Sequence, residues 1–379
     1  MLFPAQTLKQ QAAALGFNLV GIVEAKPSPY LAAYLRWIEA GMHGSMGYMA
    51  RPDRVERRRD LNVILPGVRS LIMVGLDYGA SVPDAILNDP ARGRIASYAW
   101  GGDYHDVMTP KLEQLADWLA RERGEATKHR VYVDTGAILE RSHAQAAGLG
   151  FVGKNTMLIH PRRGSLFFLG EILTDAEFDQ YDQPFAKATM CGSCTRCLNA
   201  CPTNAFPAPH VLDARRCISA LTIEHKGWID RDLRPLMGNW IYGCDVCQEV
   251  CPFQRFAPGT SENAFVPIDV DRAAPPLLDV LALNEAEFVI QFAGSAITRI
   301  KRERLVRNAC IAAGNWGAPH AVPPLLRLLD DASPLVRGHA AWALGQIGGA
   351  AAALAARLDI EPDENVRGEL KWAIDAQIC

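Results

Sequence analysis

Eight of the ten cysteines fall in one window, Cys191 to Cys251, and their spacing dictates what this stretch folds around. The first run reads Cys191-x2-Cys194-x2-Cys197-x3-Cys201-Pro202, and the second reads Cys244-x2-Cys247-x3-Cys251-Pro252, with Cys217 between them. A C-x2-C-x2-C-x3-C-P run is the signature of a module with two iron–sulfur clusters, whose fourth cysteine crosses to the other cluster. By that rule Cys191, Cys194 and Cys197 hold the first cluster with Cys251. Cys201, Cys244 and Cys247 hold the second, which needs one more thiolate, and Cys217 fills the vacancy.

Zinc competes for this pattern, because paired C-x2-C sequences also build tetrahedral sulfur sites. Such sites do not call for a third cysteine two residues on, or for proline after the last one. Structural disulfides belong to secreted chains. Cys310 and Cys379 lie outside the window and read as bystanders. The window is therefore expected to carry single electrons.

At 379 residues, with 49% of them hydrophobic, the chain is expected to build two or three domains with sizeable cores. The first residues, MLFPAQTLKQQAAALGF, have no basic stretch followed by an apolar block, so no secretory signal is read there. No uninterrupted apolar run is long enough for a membrane helix. Reduced thiolates without an export signal point to the cytoplasm. The net charge of −3 hides two basic patches, Arg51, Arg54, Arg57, Arg58, Arg59 and then Arg299, Lys301, Arg302, Arg304, Arg307. A charge run is usually a solvated helix face, yet two on a weakly acidic chain leave room for a nucleic-acid partner.

The overall class is α+β. Residues 1–175 read as an α/β domain, with strands at Asn18–Val23, Ser70–Asp77, Arg130–Asp134 and Ser165–Leu173 and helices near Tyr30–Ala40, Lys111–Arg123 and Ala137–Ala147. Residues 176–265 form the cysteine module, and a proline-rich stretch at Phe256–Pro276 reads as a linker. Residues 275–379 repeat: Val306-Arg307, Val336-Arg337 and Val366-Arg367 recur every 30 residues, each followed in phase by Ala313, Ala343 and Ala373. That period predicts a short α-solenoid of HEAT-like helix pairs.

Three local patterns need weighing. Gly148-x-Gly150-x-x-Gly153 matches a dinucleotide fingerprint, but the preceding ILERSHAQAA is helical rather than a strand, so a glycine turn ending a helix is expected. Asp103 and His105 read as a hydrogen-bonded structural pair rather than a metal site. Asp134 closes a predicted strand before a predicted helix, and its local pattern favours a helix cap over an active-site acid.

Several stretches together resemble the epoxyqueuosine reductases, cobalamin- and iron–sulfur-dependent oxidoreductases that close queuosine synthesis on tRNA. These are SYAWGGDYHDVM, VYVDTGAILERSHAQAAGLGFVGKNTMLIHPRRGSLFFLGEILTD, the cysteine pattern with RCISALTIEHKGWI, and the HEAT-like tail. The resemblance spans nearly the whole chain, with one departure at Ala220, where relatives commonly carry an aromatic residue. It implies a cobalamin-binding domain related to nitroreductase-like and cobalamin-processing proteins, a ferredoxin-like module with two [4Fe–4S] clusters, and a repeat domain meeting the tRNA anticodon stem-loop. An external electron donor would feed the clusters, which reduce cobalt to the +1 state. By similarity Asp134 is the proton donor above the corrin, while Arg57, Tyr98, Asn155 and His160 are cofactor contacts. Lys301 and Arg302 lie where the family meets tRNA. Two other readings stand beside this one: a cobalamin-dependent reductive dehalogenase acting on small molecules, and a non-catalytic iron–sulfur electron carrier.

Overall fold

A computed structural model describes residues 2–124 and 126–377. Cys379 lies outside the described residues. The chain forms two compact units whose segments alternate along the sequence. The first takes Met1–Ala80, Gly102–Arg215 and Val246–Val266; the second takes Ser81–Gly101, Arg216–Asp245 and Pro267–Cys379.

The first unit is built on a four-stranded antiparallel sheet of β1 (Leu19–Glu24), β2 (Ser70–Asp77), β3 (His129–Tyr132) and β4 (Phe167–Thr174), in the order β1-β2-β4-β3. All eight residues of β2 are buried, as a continuous apolar run covered on both faces requires. On one face lies the helix α1 (Tyr104–Arg123), whose Met108 and Leu112 pack over Gly170 of β4. On the other, Leu71, Met73 and Leu173 meet Ile138, Ala144, Ala147 and Leu149 in and around the helix α2 (Glu140–Ala146). The strands fall within a residue or two of their expected places. α1 starts earlier than its periodic part, because Asp103 caps it by accepting from the His105 N–H at 3.0 Å. The His105 ring nitrogen also bonds the Asp103 carboxylate at 2.7 Å, the structural pair expected from sequence.

In the second unit the helices α3 (Lys301–Trp316), α4 (Val322–Leu328), α5 (Pro334–Ile347), α6 (Ala351–Ile360) and α7 (Glu364–Asp375) form the repeats. The 30-residue period has a physical origin in two devices. Gly314 of α3 lies where a Cβ would come within 2.6 Å of the Trp342 ring, and Trp342 stacks on Trp372 one repeat later, at 6.4 Å. The arginines of the recurring Val-Arg pairs collect loose carbonyls: Arg307 donates to the carbonyls of Leu221, His225 and Gly227, and Arg337 to those of Asp331 and Ala332. Arg367 does the same for Leu358 and Glu361.

Arg337 also forms a two-pronged ion pair with buried Glu361, at 2.7 and 2.9 Å, and Arg357 joins it at 2.8 Å. Burial alone would raise the Glu361 carboxyl; hydrogen bonds from Arg337, the Asp363 N–H and Arg357 outweigh it and hold the group at about 2. Because the native carboxyl takes its proton less readily than the unfolded one, the pairing contributes about 3 kcal/mol above roughly pH 5 and loses it as the pH falls toward 2. Glu361→Gln is expected to lower unfolding stability at pH 7 by about 3–5 kcal/mol, since two arginines lose a buried partner. Thermal unfolding at pH 7 and pH 3 checks this, and an equal deficit at both would contradict it.

Candidate active site and cysteine cavity

Asp134 stands in the loop between β3 and α2, exposed and with φ at +57°, a left-handed backbone that costs about 1 kcal/mol or more outside glycine. It does not cap the helix, contrary to the local sequence pattern. α2 begins at Glu140 behind Leu139, which offers no side-chain cap. A cap needs extended backbone one residue before the helix, and Asp134 has neither the position nor the conformation. Its Oδ2 instead accepts from the Tyr104 hydroxyl at 3.0 Å. Tyr104 is itself held between the Phe168 ring, nearly parallel at 4.4 Å, and the His105 ring at 4.1 Å.

Three charged groups that sequence reasoning passed over adjoin Asp134. Glu140, and Glu171 in the middle of β4, are close enough to Asp134 and to one another for their charges to act on each other, and neither Glu171 oxygen has a hydrogen-bond partner among the described residues. Burial, then the neighbouring Asp134 charge, pushes the Glu140 carboxyl up to about 8. Glu171 is fully buried, and its carboxyl is pushed well above the usual carboxylate range, first by burial and then by Glu140. Arg141 is exposed. Burial lowers its guanidinium, offset by the charges of Glu140, Asp134 and Cys247, so it lies between the carboxyls and the second cysteine run. The only readable signal was Glu171 itself, a lone charge inside the strand FFLGEILT.

The glycine-rich stretch after α2 is a turn, as its context implied. Gly148 has φ at +73°, and the chain runs on into a short strand, Phe151–Val152, rather than a helix. Its tip reaches both cysteine runs. The Lys154 ammonium donates to the carbonyls of Gly192 and Cys194 at 2.8 and 2.9 Å, and the Asn155 amide donates to the Cys247 carbonyl at 3.0 Å. Arg141 donates to the Thr156 carbonyl at 2.7 Å.

Cys191, Cys194, Cys197 and Cys251 line one cavity with Lys154, Asn155, Ile159 and Phe253. These are the four thiols that the crossing rule groups together. Burial raises the Cys197 thiol, and the nearby Cys191 and Cys251 add to it; Cys251 is raised likewise, by burial and then by Cys191 and Cys194. Such a cavity holds four thiolates only if positive charge enters it, as iron supplies. Cys201 and Cys247 belong to the same unit, whereas Cys217 and Cys244 belong to the second. Among the other expected contacts, Arg57 is half-buried on the helix Pro52–Arg59. In the same helix Arg54 donates to the Thr135 carbonyl beside Asp134, at 3.4 Å. The His160 ring accepts from the Arg162 N–H at 3.2 Å. Tyr98 lies in the second unit, its ring 5.9 Å from that of Tyr242.

An α/β unit that holds a four-thiol cavity and an exposed carboxyl on a left-handed loop, together with a helical-repeat unit, defines an iron–sulfur oxidoreductase. Three sequence signatures agree with this division. Residues 190–254 match the 4Fe-4S double cluster binding domain, 58–135 the family described as Epoxyqueuosine reductase QueG, DUF1730, and 290–375 the HEAT repeats. The chain is 40% identical over 350 residues to an epoxyqueuosine reductase of Pseudomonas aeruginosa, covering 91% of this chain and 94% of the relative. It is 38% identical to that of Escherichia coli, covering 90% and 89%. Among solved structures, it is similar to an epoxyqueuosine reductase crystallised with an epoxyqueuosine-modified tRNA-Tyr stem loop, with a TM-score of 0.91, 34% identity and 99% and 98% coverage. It is also similar to the Bacillus subtilis enzyme solved with its Asp134 catalytic loop swung out of the active site, with a TM-score of 0.89, 34% identity and 98% coverage of each chain. The chain belongs to the epoxyqueuosine reductase family. Its cofactors are two [4Fe–4S] clusters and cobalamin.

Proposed function

We propose that this chain reduces epoxyqueuosine to queuosine at the wobble position of tRNA anticodons, the last step of queuosine synthesis. The observation that carries the reading is Asp134, an exposed carboxyl in a left-handed loop, held by Tyr104, in the unit that also gathers the first set of thiols. In the proposed assignment Cys191, Cys194, Cys197 and Cys251 ligate one cluster, and Cys201, Cys217, Cys244 and Cys247 the other. The working parts follow residues 1–175, 176–265 and 275–379.

When bound, cobalamin reduced through the clusters supplies a strong nucleophile toward the strained carbon–oxygen bond of the epoxide. The protein contributes placement, electrons and protons. Tyr104 aims the Asp134 carboxyl, which protonates the departing oxygen. Arg141 is exposed, and with Arg57, Asn155 and His160 it makes up the proposed corrin contacts in this unit; Tyr98 is proposed from the second. Lys154 sets a positive charge against the carbonyls of the first cysteine run and so offsets the negative charge of a thiolate-bound cluster. Thiolate ligands and a tRNA substrate both suit the cytoplasm, where an external one-electron donor supplies two electrons per turnover. No helix among the described residues is long and apolar enough to cross a membrane.

Incubating the reduced, cofactor-loaded protein with an epoxyqueuosine-bearing anticodon stem-loop is expected to yield queuosine, seen by nucleoside mass spectrometry as loss of one oxygen atom. Unchanged nucleoside, with both clusters and cobalamin verified, would overturn the reading. The relative solved with such a stem loop supports this choice of substrate.

For the tRNA contact the two basic candidates differ. Arg302 bonds Asp331 at 2.7 Å and the Leu283 carbonyl at 2.6 Å, so its substitution would disturb the fold of the second unit. Lys301 is exposed at the start of α3. Lys301→Glu is expected to weaken stem-loop binding at low salt and to make the slope of log affinity against log salt shallower by roughly 0.7–0.9. Titrations at three salt concentrations check this; an unchanged slope would take Lys301 out of the interface.

A further inference from the structure

The stretch FVGKNTMLI folds into a small hairpin, with Phe151–Val152 paired antiparallel to Leu158–Ile159. Two backbone bonds close its tip: the Gly153 N–H donates to the Met157 carbonyl and the Thr156 N–H to the Gly153 carbonyl, each at 2.9 Å. Lys154 and Asn155 are therefore the central pair of a tight turn. Further bonds fix that pair in place. The Lys154 carbonyl accepts from the His210 N–H at 2.9 Å, and the Asn155 side-chain oxygen accepts from the Met157 N–H at 3.3 Å.

A lysine at a turn normally keeps its rotamer freedom in solvent. This one is half-buried, and its ammonium is pinned by the Gly192 and Cys194 carbonyls at 2.8 and 2.9 Å. Both carbonyls belong to the loop that carries the first thiols, so the charge stays with that loop. Lys154 and Arg196 are the cationic side chains that line the cavity of Cys191, Cys194, Cys197 and Cys251, and no carboxylate lines it. The two cations differ in how firmly they act. Arg196 is exposed, where water and salt screen it, whereas Lys154 is tied down at the cavity wall.

We propose that Lys154 sets the reduction potential of the first cluster, holding it high enough for the external one-electron donor to reduce it. The inference rests on those four cysteines being that cluster's ligands. One-electron reduction, with the electron taken from the donor, leaves one further negative charge inside the four-thiol cavity. A fixed positive charge at the wall favours that reduced state and so raises the potential. Lys154 works through the cluster, which makes it a positioning residue.

The test is a redox titration of the full chain loaded with both clusters, followed by electron paramagnetic resonance, with iron counted on each sample. Lys154→Met is expected to keep its iron and to lower one of the two midpoints by a tenfold or greater shift in the reduction equilibrium, ~59 mV or more for one electron. The other midpoint should stay at its parental value. Lys154→Arg, which keeps the charge, is expected to restore the first midpoint, and Arg196→Met to move it less than Lys154→Met does. Lys154→Gln, which keeps a donor without the charge, repeats the measurement if the methionine variant loses iron. Parental midpoints in the neutral variants, a larger shift from Arg196→Met, or a midpoint in Lys154→Arg as low as in Lys154→Met would overturn the proposal. Loss of iron from both neutral variants would make Lys154 a strut for the loop and overturn it as well. Failure of the parent to hold two clusters would instead strike at the ligand grouping proposed above.

Discussion

Asp134→Asn is expected to fold, take up its iron and retain cobalamin, yet turn over some 10²–10⁴ times more slowly. The substitution isolates the proton. Asparagine is among the few residues that tolerate a left-handed backbone, so the loop at φ +57° keeps its shape. Its side-chain oxygen can still accept from Tyr104, so the aim of the group is preserved. Only an acid able to give up a proton is lost. Single-turnover product formation at saturating stem-loop measures the loss, with the corrinoid absorption recorded on the same sample. A variant as fast as the parent would show that the departing oxygen is protonated by another group.

The second large effect lies at the crossing cysteine. Cys251→Ala is expected to cut iron from about eight to about four atoms per chain and to abolish turnover, because the relay loses one of its two stations. Cys251 belongs by sequence to the second run but shares its cavity with the three cysteines of the first. Losing it should therefore empty the cluster of Cys191, Cys194 and Cys197, while Cys201→Ala should empty the other. Iron analysis with electron paramagnetic resonance of the reduced protein distinguishes the two. Full iron in Cys251→Ala would break the proposed ligand grouping. Cys310→Ala serves as a control: that thiol is buried within α3, where burial raises it well above the ordinary range, and iron content should not change.

Much of this was legible from the amino acids because the signals were periodic or stoichiometric. Cysteine spacing grouped four thiols that the fold gathers around one cavity, and a 30-residue repeat announced the helical stack that Trp342, Trp372 and the recurring arginines hold together. The strands were readable because β2 and β4 are nearly unbroken apolar runs. Asp134 misled as a local pattern, since a strand followed by a helix resembles a capping site whenever the intervening loop goes unseen. The carboxyl pair was hidden for a different reason. Glu140 and Glu171 are 31 residues apart and meet only because α2 packs across the sheet, which no local window can report. Arg302 shows the converse: it reads as a surface cation, but it is spent on Asp331 and a backbone carbonyl.

The bonds made by Lys154, Asn155 and the Thr156 carbonyl turn three consecutive residues into a clasp. One end grips the loops that present sulfur to iron; the other fixes Arg141, next in sequence to Glu140. The loops that carry the thiols and the start of α2 thus share a single mechanical reference, and a shift of that hairpin tip would displace both at once.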